Sequence, residues 1–114
     1  MPKLGATLST SDINSEGEVN PTPGSAVTID VTSSTNQFRW TASQNETVNI
    51  SGSHNKGKEI VLIIINDGIL PRVITFGNGF VSSGVVTGIA SLTSIVSFQS
   101  DGTNFLEKSR VIAI

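Results

Sequence analysis

The run Ile60-Val61-Leu62-Ile63-Ile64-Ile65 is unbroken apolar sequence, and five of its six side chains are β-branched. Such side chains are stiff at χ1 and suit a pleated strand better than a helix. The run is far too short to cross a bilayer. A strand apolar on both faces is normally covered on both. In a two-layer fold one face meets the core, so the other needs a second cover: a loop, the N-terminal segment or another subunit. Left bare, it would be an aggregation hazard. Subunit contact is the expectation, with Ile60, Leu62 and Ile64 at the interface. The apolar end Val111-Ile112-Ala113-Ile114 points the same way, since it sits awkwardly in water unless packed. Ile112 and Ile114 therefore join the expected interface.

Around this run the chain alternates. Val27, Ile29 and Val31 are separated by Thr28 and Asp30; Phe38, Trp40 and Ala42 by Arg39 and Thr41; Val48 and Ile50 by Asn49. Period two marks half-buried strands. Polar clusters bound each run, and Asn66-Asp67-Gly68, Gly77-Asn78-Gly79 and Asp101-Gly102 read as turns. Ser, Thr, Asn and Gly supply 48 of the 114 residues, which disfavours helices. Residues 84–96 are ambiguous, and we read a short strand or irregular crossing before a strand at 94–100. About eight short strands with regular turn signals predict an all-β chain: an antiparallel β-sandwich, jelly-roll-like.

Residues 1–24 show little periodicity and end in Asn20-Pro21-Thr22-Pro23-Gly24, which favours extended, strand-breaking backbone. We divide the chain into an irregular N-terminal arm, 1–24, and a sandwich domain, 25–114. The arm is either disordered or ordered along a neighbouring subunit, with Leu4, Leu8, Ile13 and Val19 as anchors.

Chemistry is sparse. The net charge is −2, from 7 basic and 9 acidic residues, which gives nucleic-acid binding no electrostatic support. No cysteine is present, so neither a disulfide nor a thiolate metal site is expected, and folding in a reducing cytosol is. The first residues lack the apolar run of a signal peptide. His54, the single histidine, lies in a polar stretch and reads as a solvated loop residue; no G-x-S-x-G elbow accompanies it. No H-E-x-x-H or D-x-D spacing occurs, and Gly77-Asn78-Gly79 lacks the rest of a phosphate loop. Asn45-Glu46-Thr47 and Asn49-Ile50-Ser51 match the glycosylation pattern, as chance matches in a chain rich in these residues. Trp40 alternates in step with Phe38 and reads as core rather than as a sugar platform. The expectation is no catalytic, cofactor-binding or metal residues, and no membrane or nucleic-acid partner.

Gly57-Lys58-Glu59-Ile60-Val61-Leu62-Ile63-Ile64, then Arg72-Val73-Ile74-Thr75-Phe76-Gly77, then the stretch from Val96 through Ser100-Asp101-Gly102-Thr103-Asn104-Phe105 to Ser109-Arg110 stand in an order that resembles tailed-bacteriophage structural domains. These include capsid decoration or head-fibre proteins and tail-fibre domains, and the likeness spans about residues 25–110. The resemblance implies a jelly-roll sandwich assembling as a homotrimer, no catalytic residues, and Arg110 closing the edge as an ion pair or interface contact. It implies a virion protein made in the host cytoplasm, most simply a cement protein binding the major capsid protein on the assembled head. The alternative is a tail-fibre or head-fibre module that recognises a host-surface glycan or protein.

Overall fold

The computed structural model describes residues 17–32 and 34–114. Among them are nine strands: β1 (Ala26–Asp30), β2 (Gln37–Ala42), β3 (Glu46–Ser51), β4 (Glu59–Asn66), β5 (Val73–Phe76), β6 (Phe80–Val81), β7 (Val86–Thr87), β8 (Thr93–Ser100) and β9 (Phe105–Val111). They form two sheets, β1-β3-β5-β7 and β2-β4-β8-β9-β6. The described chain is all-β, as its composition predicts.

The pairing corrects the antiparallel, jelly-roll expectation. β1 pairs with β3, β3 with β5, β2 with β4, and β6 with β9 in parallel; only β4–β8, β8–β9 and β5–β7 are antiparallel. From β1 to β8 each strand leaves one sheet for the other. Parallel neighbours need a crossover connection, and here a strand of the opposite sheet provides it. Short polar links such as residues 43–45 could either fold back as a hairpin or step across the roughly 10 Å between packed sheets. Local alternation is identical in the two cases, so the direction of pairing is not encoded in it.

The β8–β9 hairpin then inserts between β4 and β6. Its turn is built by Asp101, whose Oδ1 accepts the Thr103 and Asn104 amides at 2.8 Å each, and by Gly102 at φ 97°. Only a residue without Cβ adopts that φ cheaply. A register shift at Ser97/Phe98 makes Lys108 an extra residue on β9, which bends that strand.

Between the sheets lies one core, containing Val27, Ile29, Phe38, Trp40, Val48, Ile60, Leu62, Ile64, Ile74, Val96, Phe98 and Phe105. Phe76 of β5, Phe80 of β6 and Phe98 of β8 meet with ring centroids 4.8–5.3 Å apart, joining the sheets where the hairpin enters. Trp40 is buried, as expected of a core residue. Its indole N–H would be costly to leave unpaired; it donates to Glu46 Oε1 at 2.7 Å.

The described part of the N-terminal arm lies against this same chain. Val19 bridges Phe38 in parallel, its amide donating to the Gln37 carbonyl at 2.9 Å and its carbonyl accepting from Arg39 at 3.0 Å. Val19 packs on the core, Pro21 is buried, and the Gly24 amide donates to Glu46 Oε2 at 3.2 Å. Leu4, Leu8 and Ile13 lie outside the described residues.

Candidate assembly surface

Because side chains alternate across a strand, the register of the five-stranded sheet fixes what its outer face presents. Arg39, Ile63, Ile95 and Val111 stand in one row; Gln37, Val61, Ser97 and Ser109 in the next; Thr41, Ile65 and Thr93 in a third. Thr93 exchanges backbone hydrogen bonds with Ile114, 2.9 and 2.7 Å, which brings the C-terminal residue onto the third row. Val61, Ile63, Ile65, Ile95, Val111 and Ile114 are thus neighbours on the face turned away from the core, and among the described residues no second layer covers it. Ile63 is only 8% exposed yet stands outside the core cluster, whereas Val111 and Ile114 are 47% and 61% exposed. Polar residues (Gln37, Thr41, Ser97, Ser109) frame the patch.

This placement corrects the expected interface. Ile60, Leu62 and Ile64, at 0%, 0% and 3% exposure, face inward and fill the chain's own core. The residues turned outward are their odd-numbered neighbours. One signal for that phase lay in the sequence: charged Glu59 at the head of the strand puts odd positions on the solvent side. Asn66 blurred it, being polar at an even position and yet buried. Its amide is used internally, donating to Leu70 O at 2.7 Å while Oδ1 accepts the Arg72 amide at 2.7 Å.

Arg110 is likewise occupied within its own chain. Its guanidinium grips both oxygens of Glu107 at 2.7 Å and donates to the Gly84 and Val85 carbonyls at 2.9 Å. Four of its five N–H groups are consumed, tying β9 to the link before β7. This neighbour holds the Glu107 carboxyl below its usual range. This geometry fits the ion-pair alternative of the expectation for Arg110. Ile112 and Ile114 are exposed, at 38% and 61%.

His54 is not a solvated loop residue. It is half-buried, its Nδ1 lies 2.5 Å from Ser100 Oγ, and its ring packs on Phe105 at 4.3 Å. Ser100 is 4% exposed and its Oγ also accepts the Gly102 amide at 2.9 Å. A nucleophile needs access to its substrate; this serine is enclosed, and the pair locks the hairpin turn to the loop before β4. Glu46, 2% exposed, is the one buried carboxylate among the described residues, and burial pushes its pKa up against the opposing hydrogen bonds from Trp40 and Gly24. Asn45 and Asn49, of the glycosylation-like triplets, accept the Val73 and Asn78 amides through Oδ1 at 2.9 and 2.8 Å. No group of three or more potential metal-ligating side chains occurs among the described residues. A groove of about 460 Å³ runs between residues 20–23 and Arg39, Thr41 and Ile65, alongside the apolar face.

The sequence matches no protein-family model and no curated protein.

Proposed function

We propose that this chain is a virion structural protein of a tailed bacteriophage, a homotrimeric cement protein that binds the major capsid protein of the assembled head. The observation that carries the reading is the outer face of the five-stranded sheet. Val61, Ile63, Ile65, Ile95, Val111 and Ile114 form a contiguous apolar surface framed by polar residues, the arrangement of an interface core and rim. Isolated surface apolar residues need no explanation, but a contiguous patch does. The resemblance of about residues 25–110 to phage structural domains supplies the virion context. The winding reads as a short two-sheet β-solenoid closed by the β8–β9 hairpin.

A protein that binds only the assembled shell stabilises that shell by mass action, and three copies held together gain avidity. The test is to mix the purified chain with bare heads of its phage and follow binding and heat resistance. Saturable binding with a rise in the temperature of head disruption is expected; no binding would sink the capsid reading. A fibre-tip module is the second reading, favoured by Ile69, Leu70 and Ile89, which stand 73%, 55% and 53% exposed on two loops joined by the Ser91 amide and the Asp67 carbonyl at 2.9 Å. Binding to host cells but not to heads would select it.

A further inference from the structure

Residues 20–24 run as a strap from the edge of β2, in one sheet, to the start of β1, in the other. Both ends are anchored. At the first, Val19 bridges Phe38 and Asn20 Nδ2 donates to the Arg39 carbonyl at 3.1 Å. At the second, the Ser25 carbonyl accepts the Thr47 amide at 2.9 Å. Between them Pro21 and Pro23 have no N–H to give, Thr22 and Pro23 are exposed, and the Gly24 amide goes to a side chain, Glu46 Oε2, at 3.2 Å. That carboxyl is 2% exposed, and the groups that donate to it, the Trp40 indole and the Gly24 amide, are both uncharged. The charged side chains of the surrounding elements are engaged elsewhere. Glu18 pairs with Arg39 of β2 at 2.7 Å, Asp30 of β1 accepts from Thr32, and Arg72, just before β5, pairs with Asp67 at 2.7 Å. β5 itself carries no charge. A carboxylate buried without a cation is disfavoured against its neutral form.

We propose that this strap is a proton-controlled lid: seated on Glu46 while the carboxyl is neutral, it lifts when the carboxyl ionises. Ionisation favours any state in which water reaches the carboxyl. Trp40 cannot easily give way, because it stands in β2 opposite Ile64 of β4, and Glu46 itself is held in β3 opposite Ile74 of β5. Residues 20–24 belong to no strand ladder, so they are the part of the enclosure that opens most readily. The sign follows from the same burial. It raises the Glu46 pKa, so the seated state binds the proton more tightly and rising pH draws the chain to the lifted one. Residues 20–23 also form one wall of the groove of about 460 Å³ that Trp40, Arg39, Thr41 and Ile65 complete. Lifting therefore uncovers Trp40 and reshapes the surface beside the outer face of the five-stranded sheet. The inference is independent of the virion reading, because it concerns one carboxyl and the segment that covers it.

The test uses Trp40, the one tryptophan of the chain, as an internal reporter. Fluorescence and amide exchange of the full chain are followed as the pH is raised from 4.5, the ordinary value of a glutamate. The emission is expected to move to the red. The protection of the Gly24 amide is expected to fall about tenfold or more, while that of Gly77, bonded to the Val48 carbonyl at 2.7 Å, is kept. Glu46→Gln, neutral at every pH, is expected to show neither change. Gly24→Pro removes the donor at a position where a Cβ meets the Ala26 carbonyl only at 3.8 Å, and is expected to show the red-shifted emission at pH 4.5. An emission that does not change with pH in the unmodified chain, or an equal shift in Glu46→Gln, overturns the lid. So does unshifted emission in Gly24→Pro, or a loss of Gly77 protection in step with that of Gly24.

Discussion

Single residues carry the polar bookkeeping of this fold, and Glu46 is the most exposed to test. It holds the Trp40 indole and the Gly24 amide from a nearly closed site. Glu46→Ala leaves both donors unpaired and is expected to cost about 1–3 kcal/mol in urea unfolding. The pH dependence has a definite sign. Burial raises the folded pKa of Glu46 above its unfolded value, so its contribution is fully present below the unfolded pKa and is lost as pH rises through the folded one. Glu107 behaves oppositely: Arg110 lowers its folded pKa, so its contribution is present above the unfolded pKa and lost as pH falls through the folded one. Between pH 7 and pH 3, the chain is therefore expected to gain stability relative to Glu46→Gln and lose it relative to Glu107→Gln. Matching slopes in the two comparisons would contradict these assignments. Gly79 is a backbone case, at φ 89° with space for a Cβ already filled by Ile50 at 2.6 Å. Gly79→Ala is expected to cost about 1 kcal/mol or more, measurable as a lower thermal midpoint. The turn role of this glycine was legible in the Gly77-Asn78-Gly79 cluster. The partner of Glu46 was not, because Trp40 meets it only after β2 and β3 enter different sheets.

At the scale of the strand, β4 separates the two duties of apolar sequence. Its even positions hold the core and its odd positions form the outer face. Leu62→Ala removes core packing and is expected to cost about 2–5 kcal/mol. Ile63→Thr, on the outer face, is expected to cost the isolated chain clearly less while weakening self-association. Equal losses in unfolding experiments would place both faces of β4 in the core. Strand positions were legible from period two, and the hairpin from Asp101-Gly102, since both are local. Pairing direction was not, because an alternating strand looks the same beside a parallel or an antiparallel neighbour. The doubly apolar run shows that both faces of β4 are apolar, and the half expected at an interface is the half that fills the core. Hydrophobicity identifies both faces of such a strand without saying which meets the longer reach of the core.

For the whole molecule, two sheets share one core, one sheet turns away from it an apolar face that no strand among the described residues covers, and the C-terminal residues extend that face. A chain of this size buries only about two-thirds of its unfolded surface, and association through the patch would add burial that the monomer lacks. The central claim is that this face holds copies together. Sedimentation velocity at micromolar concentration measures it directly, comparing the unmodified chain with Ile63→Asp and with Val111→Asp, folding being monitored by circular dichroism. A single trimeric boundary for the unmodified chain, shifting to monomer in folded Val111→Asp, is the predicted result. A monodisperse monomer for the unmodified chain would contradict it.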